Sequence, residues 1–297
     1  MALDIDIGRI GIWGPAPAWE QAPDADEAAA ELEELGYGAL WHGRSEGDLA
    51  LQRRLVGATD KLVLATGIIN IWTNPPSTVA ASDAAIEREH PGRIVIGLGS
   101  SHAPIVERTT TEKYEKPVTR LAQYLDELDA VVETVPRGRR VLAALGPRAL
   151  KLAAERSAGA HPYLVSAAHT RGARELMGPD ALLAPEVTVV IDADPDSARA
   201  KGREFIQYYL QLPNYTNNFL REGFTEDDLK DGGSDRLIDA IIPWGDADTV
   251  AARITEHHDA GADHVAIQVF AGGDRGTAPL PREGWRTLAA ALRAVSP

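Results

Sequence analysis

The sequence predicts an α/β fold, a (β/α)8 barrel with a helical excursion between its seventh and eighth strands. Three observations predict it. Short β-branched runs alternate with Ala/Leu/Glu-rich amphipathic segments along almost the whole chain. Eight such runs can be counted. The length, 297 residues, suits one such barrel, which commonly uses about 250, with room for an insertion. An open doubly wound sheet is the runner-up and usually needs fewer strands.

The elements follow in order. Residues 7–13 form the first strand, and 14–23, rich in Pro, Ala and Gly, a loop leaving it. Residues 24–35 read as an amphipathic helix with acidic residues in its first turn and Gly36 where a C-terminal cap belongs. A short strand at 39–41 precedes a helix at 48–59. The run 62–71, LVLATGIINI, is too apolar to have a wet face, so it reads as a third strand buried on both sides. A helix at 77–89 follows the Pro75-Pro76 break, then a fourth strand at 94–98 and a long helix at 116–134. Strands at 141–144, 160–165 and 183–191 alternate with helices at 147–156 and 168–177, and Asp196 opens another helix. Residues 203–244, rich in Tyr, Asn and Asp, are too long for a bare loop and read as the helical excursion. A helix at 247–260 leads into the last strand, 264–269. Residues 1–297 are read as one barrel domain, with 203–244 inserted in it.

Composition narrows the function. There are 44 acidic and 30 basic residues, a formal net charge of −14, so phosphate backbones are repelled and nucleic acid is not expected as a partner. An anionic ligand would need a local exception to that charge. The absence of cysteine excludes disulfides, thiolate nucleophiles and Cys-ligated metals. The eight histidines show no ligand spacing, and His257-His258 do not share a helix face, so no metal is expected. HExxH, GxSxG and P-loop patterns do not occur. Short apolar runs and an acidic N-terminus without a signal-peptide plan predict a cytoplasmic protein with no membrane partner.

In such a barrel, chemistry sits where strands end. The fourth strand ends in Gly97-Leu98-Gly99-Ser100-Ser101-His102. Glycines admit a ligand close to the backbone, and hydroxyls can donate to phosphate or ring carbonyls; a glycine-rich turn without ligand is the alternative. The fifth strand runs through Leu145-Gly146-Pro147-Arg148 into a helix. Proline at the first turn loses no hydrogen bond, the helix start offers free N–H groups, and Arg148 adds a formal charge. This is the local anion site, or simply a proline-initiated helix. At the third strand's end, apolar residues can back a flat ring and Asn70 can bond to it, although Ile69 and Ile71 read equally as core. Within the excursion, Asn214, Tyr215, Asn217 and Asn218, with Trp244 nearby, would suit a polar organic substrate or form a solvated loop.

These residues resemble the luciferase-like monooxygenase superfamily of flavin and deazaflavin enzymes, and within it the F420-dependent oxidoreductase branch. The resemblance is carried by GYGALW (36–41), ATGIINIW (65–72), HPGRIVIGLGSSHAP (90–104), VLAALGPRALKLA (141–153), GAHPYLV (159–165), LPNYTNNFLREGFTEDDL (212–229) and GSDRLIDAIIPWG (233–245). It implies a bacterial luciferase-like TIM barrel, usually a homodimer, that transfers a hydride between coenzyme F420 and a small organic substrate. The deazaflavin would lie at the C-terminal mouth, backed by a cis peptide at Gly67–Ile68, with Trp13 and Asn70 beside it. Gly99, Ser100 and Ser101, together with Leu145, Gly146, Pro147 and Arg148, would hold the cofactor's phosphate and polar chain. His42, Asn214, Tyr215, Asn218 and Trp244 would meet the substrate.

The branch's usual acid–His pair after the second strand falls here on Arg44 and Ser45. His42 stands earlier and could point into the barrel. The proton-transfer role is therefore expected at His102, an imidazole suited to exchange near neutral pH. The competing expectations are an FMN-dependent monooxygenase and a non-catalytic flavin-binding barrel.

Overall fold

The protein's computed structural model describes residues 3–111 and 113–295. The strands are β1 (Ile10–Pro15), β2 (Ala39–Gly43), β3 (Val63–Thr66), β4 (Ile69–Asn70), β5 (Ile94–Gly99), β6 (Arg140–Leu142), β7 (Gly159–Ala160), β8 (Leu182–Leu183), β9 (Glu186–Ile191), β10 (Trp244–Gly245) and β11 (Val265–Val269). The helices are α1 (Ala16–Gln21), α2 (Ala25–Leu35), α3 (Ala50–Gly57), α4 (Pro76–Glu89), α5 (Ala103–Thr109), α6 (Pro117–Asp129), α7 (Pro147–Arg156), α8 (Ala167–Met177), α9 (Pro195–Ile206), α10 (Pro213–Arg221), α11 (Asp235–Ile241), α12 (Ala247–Asp259) and α13 (Arg282–Val295).

All strand pairs are parallel, in the order β10-β9-β11-β1-β2-β3-β5-β6-β7-β8, with β4 on β5. β8 and β9 are successive stretches of one path, interrupted only at Ala184-Pro185. That path meets β7 on one side, where Ala184 N–H donates to the Ala160 carbonyl, and β11 on the other. The sheet therefore closes on itself. β3 with β4 makes one stave and β8 with β9 another, while β10 adds to the open upper edge of β9 at Val190 and Ile191.

The period-two alternation of the strands separates two apolar layers. Trp13, Ala39, Trp41, Val63, Ala65, Val95, Val141 and Ala266 fill the interior. Ile12, Leu40, Leu64, Ile96 and Leu142 face the helices and meet Ala28, Leu32, Leu55, Val79 and Leu125. Local sequence sets the helix ends. α2 stops at Gly36, which is left-handed with φ 90° and bonds back to Leu32 and Glu33. Ser166, Asp194, Ser234 and Asp246 each cap a helix with a side-chain oxygen.

Several expectations change, among them the strand at 183–191, which is interrupted at Ala184-Pro185, and the helix at 116–134, which ends at Asp129. The first loop contains α1, because a short helical turn buries Trp19 and stacks it on Trp285 with ring centroids 5.6 Å apart. The run 62–71 is not one strand: it breaks at Gly67–Ile68, which is cis, and resumes as β4. The strand at 160–165 shortens to β7, because Pro162 has no N–H to give the ladder and Leu164 takes φ 56°. Between β9 and β10 lie α9, α10 and α11, and the segment 203–244 is mostly helical or turn.

Candidate active site

At the C-terminal mouth the interior is built from rings and small residues. Trp41 stacks on His161 with centroids 4.3 Å apart and planes 10° apart. Trp13 lies 5.0 Å from Tyr163. Its indole occupies space that any β-carbon on Gly43 would enter, at 2.1 Å from Trp13 Cζ2. Gly67 serves the same purpose: a β-carbon there would stand 2.6 Å from Trp13 Nε1 and 3.1 Å from His161 Nε2. Those two ring nitrogens are buried and have no hydrogen-bond partner. His161 Nδ1 lies 2.7 Å from the Ala184 carbonyl, and burial holds this imidazole neutral, down at about 4.

A buried polar chain runs across the mouth from β9 to the loop after β11. Glu186 is fully buried; Leu164 N–H donates to its Oε2 at 3.0 Å and Thr188 Oγ1 to its Oε1 at 2.6 Å. Burial pushes the Glu186 carboxyl up to about 8, against the pull of those bonds and of Arg275, so it holds its proton at neutral pH. Tyr163 OH donates to Gln268 Oε1 at 2.8 Å, Tyr209 OH donates to Tyr163 OH at 3.0 Å, and Arg275 Nη1 donates to Tyr209 OH at 2.7 Å.

Above this chain the structure brings together three of the expected residues. His102 precedes α5, and its ring centroid lies 5.7 Å from that of Tyr215 on α10. Burial lowers the His102 pKa, and the Asn214 side chain, in hydrogen-bond contact, acts the other way. Its Nδ1 is buried without a partner. Tyr215 in turn packs on Tyr209, centroids 4.9 Å apart. Gly99 pairs with Asn70 across β5 and β4, and Ile68 packs against Gly99. The Asn70 side-chain oxygen accepts from Trp72 N–H, the Ser100 carbonyl from the Trp72 indole, and the Ser101 carbonyl from Tyr114 OH. Leu145, Gly146 and Pro147 lead into α7 as expected, with the Leu145 carbonyl 2.9 Å from His169 Nε2 and Arg148 exposed. A second guanidinium joins them: Arg221 Nη2 is 3.6 Å from where a Gly146 β-carbon would lie.

Three expected substrate residues are placed elsewhere. His42 lies on the helix-facing side of β2, because its neighbour Trp41 takes the interior. It packs edge-on to Trp19 and 3.4 Å from Gln52 Nε2, and burial lowers it to about 3. Asn218 is buried but occupied: it donates to Glu222 at 2.7 Å and accepts from Arg221 at 3.0 Å. Trp244 gives its indole N–H to Asp239 at 2.8 Å, and Arg199 covers its ring. It borders an outer hollow of about 390 Å3 with Asp239, Asp246 and Arg253.

Several site residues escape sequence reasoning. Glu186 carries a readable signal, a lone carboxylate opening an apolar strand. Tyr163 stands in the GAHPYLV stretch without any local mark of its role, and Tyr209, Arg221 and Arg275 become neighbours of the mouth only through packing. Among the described residues no group of His, Asp or Glu could hold a metal ion, and no helix is long and apolar enough to cross a membrane.

A ring-bearing, anionic cofactor fits this donor set. The buried nitrogens of Trp13, His102 and His161 lack partners, and the α7 start offers free backbone N–H groups beside two guanidinium groups.

Comparison with known proteins places this geometry. A family model described as "Luciferase-like monooxygenase" matches residues 7–264. A Mycobacterium tuberculosis protein named "Putative coenzyme F420-dependent oxidoreductase Rv3520c" is 23% identical over 225 residues, covering 73% of this chain and 59% of that protein. The match thus spans less than two thirds of the relative's length. A solved F420-dependent secondary alcohol dehydrogenase, in complex with an F420–acetone adduct, superposes with TM-score 0.73 at 17% identity, over 97% of this chain and 99% of that one. The F420-dependent tetrahydromethanopterin reductase of Methanopyrus kandleri gives TM-score 0.69 at 16% identity, with the same coverage of each chain, 97% and 99%. The FMN-bound oxygenating constituent of 3,6-diketocamphane monooxygenase from Pseudomonas putida gives 0.66 at 13%, over 96% and 97%. At these identities the structures show the fold.

Proposed function

The chain belongs to the luciferase-like monooxygenase family, and from that premise we propose that it is a coenzyme F420-dependent oxidoreductase acting on a small organic substrate. The observation that carries this reading is the placement of His102, with a buried unpartnered Nδ1, beside Tyr215 at the mouth, while the start of α7 gathers Arg148 and Arg221. The F420-named relative and two of the similar structures support deazaflavin as the cofactor class.

The bound deazaflavin supplies a carbon that takes or gives a hydride. Everything else falls to the protein. Trp13, Gly67, Ile68, Asn70 and Gly99 would hold the ring. Ser100, Ser101, Leu145, Gly146, Pro147, Arg148 and Arg221 would hold the anionic tail, by backbone N–H groups, hydroxyls and charge. Tyr209 and Tyr215 cover the mouth and exclude water. His102, kept neutral by burial, accepts the substrate's proton at Nδ1 when a hydride leaves the substrate, and returns it in the reverse direction.

The test is a titration of purified protein with F420, FMN and their reduced forms, followed by absorbance. F420 binding with hydride exchange is the expected result. Tight FMN binding without F420 binding would replace this reading with the FMN monooxygenase. Cofactor binding without hydride exchange for any substrate or reductant would leave a non-catalytic binder.

A further inference from the structure

Arg275 is the cation that the proposed reaction leaves unused. It stands in the loop after β11, partly buried, with its guanidinium carbon 4.5 Å from the Phe205 ring centroid and 5.2 Å from that of Tyr209. Its hydrogen bonds go to the phenols of Tyr209, at 2.7 Å, and Tyr163, at 3.5 Å. Among the described residues no carboxylate pairs with it, and Glu186, whose field acts on it, holds its proton at neutral pH. Arginine cannot shed its charge to escape burial. A guanidinium held between rings without a counter-charge is a poor structural choice and a good receptor for an oxyanion.

A second guanidinium approaches the same turn. Arg44, exposed after β2 with φ 60°, brings Nη1 to 4.0 Å from where a Gly276 β-carbon would lie. It too has no carboxylate partner among the described residues. Two carboxylates reach the turn and each is engaged by its backbone: Asp274 Oδ1 accepts from Gly276 N–H at 2.8 Å and Glu204 Oε1 from Gly273 N–H at 2.9 Å. Arg275 also lines a narrow cleft of about 60 Å3 with Trp13, Gln268, Phe270 and Trp285, so the cation adjoins an apolar wall. In a chain of net charge −14, such a pair is a local exception to a field that repels anions.

We propose that Arg275 and Arg44 dock the acidic group of the substrate, a small organic molecule bearing a carboxylate or phosphate, with its apolar body against Trp13 and Phe270. The word substrate rests on the oxidoreductase reading above; the anion site stands without it. This site is separate from the α7 start, which follows β6, three staves round the barrel from β11. The planar fork of arginine matches the two oxygens of either oxyanion, and partial burial strengthens the contact relative to water.

Calorimetric titration of the full chain with benzoate and with inorganic phosphate tests it. The wild-type protein is expected to bind at least one probe, and the tighter one identifies the oxyanion class. Arg275→Gln should weaken binding about tenfold or more, and Arg44→Gln by a smaller factor. Arg221→Gln, at the other anion site, should leave benzoate binding unchanged. Arg44 is exposed, so Arg44→Glu keeps the test open should the Arg275 variant fail to fold; it should abolish benzoate binding, and phosphate binding when measured together with Arg221→Gln, which removes the contribution of the α7 start. Equal affinity in Arg275→Gln, or in Arg44→Glu, overturns the proposal, as does the absence of binding of both probes to the wild-type protein. The cofactor titration is independent: a chain that binds neither F420 nor FMN refutes the oxidoreductase reading and leaves the anion result intact.

Discussion

The ring of His102 lies 5.7 Å from the ring of Tyr215, although 112 residues separate them in the chain. One side chain leaves the loop after β5 and the other descends from α10. Their meeting closes the barrel mouth on the side of the proposed proton-transfer group.

Replacing that group tests its role. His102→Gln keeps the size and a hydrogen-bonding amide but cannot exchange a proton. Turnover should fall by about 10²–10⁴-fold with cofactor affinity retained. In the wild type, the acid limb of the rate profile should lie below the ordinary imidazole value of about 6.5, because burial favours the neutral form. Unchanged turnover in the variant would remove His102 from the chemistry.

The α7 start makes a different prediction. Arg148→Gln and Arg221→Gln should each weaken F420 binding several-fold, and the loss should shrink as salt rises, because screening already weakens these partly exposed charges in the wild type. Affinities measured by absorbance at low and high salt check both statements. A salt-independent loss would point to altered helix packing.

Glu186 should make stability depend on pH. Its folded value is raised to about 8, so the folded state keeps a proton that the unfolded chain releases above about 4.5. Its stabilising contribution is complete below the unfolded value and is lost as pH rises toward 8, at up to about 1.4 kcal/mol per pH unit. Glu186→Gln removes the titration, so the variant should gain on the wild type between pH 5 and pH 8 (about those limits) in urea melts. Parallel stability curves for the two proteins would contradict the raised value.

The packing of Trp13 predicts a pair effect. Gly43→Ala drives a β-carbon into Trp13 Cζ2 and should destabilise the fold by about 1–3 kcal/mol. Trp13→Leu removes the obstructing ring, so the double variant should lose less than the sum of the two single losses, as a denaturant double-mutant cycle can measure. Strict additivity would mean that the two positions do not touch.

Much of the barrel was legible because its signals are local. β-branched runs and Gly36 after α2 depend on neighbours a few residues away, and Gly36 stands where the pattern puts it. The candidate site, which rests on the proposed function, was legible in part. His102 and the Leu145–Arg148 segment could be read from their places at strand ends. His42 could not, because a shift of one residue along β2 exchanges the interior for the helix-facing layer, and Trp41 had already claimed the interior by stacking on His161.

By itself the sequence determined the alternation of strands and helices, the absence of thiol chemistry and the need for a local device to hold an anion. Tertiary structure alone decided which side chains share the mouth. Tyr163, Glu186, Tyr209, Gln268 and Arg275 come from separate segments, and their hydrogen bonds form only when the closed barrel brings those segments together. Burial then fixes their charge states: the same glutamate exposed on a helix would be ionised at pH 7 (about neutral), whereas inside the barrel it keeps its proton. Composition carries no record of that difference, because desolvation is a property of the place and not of the residue.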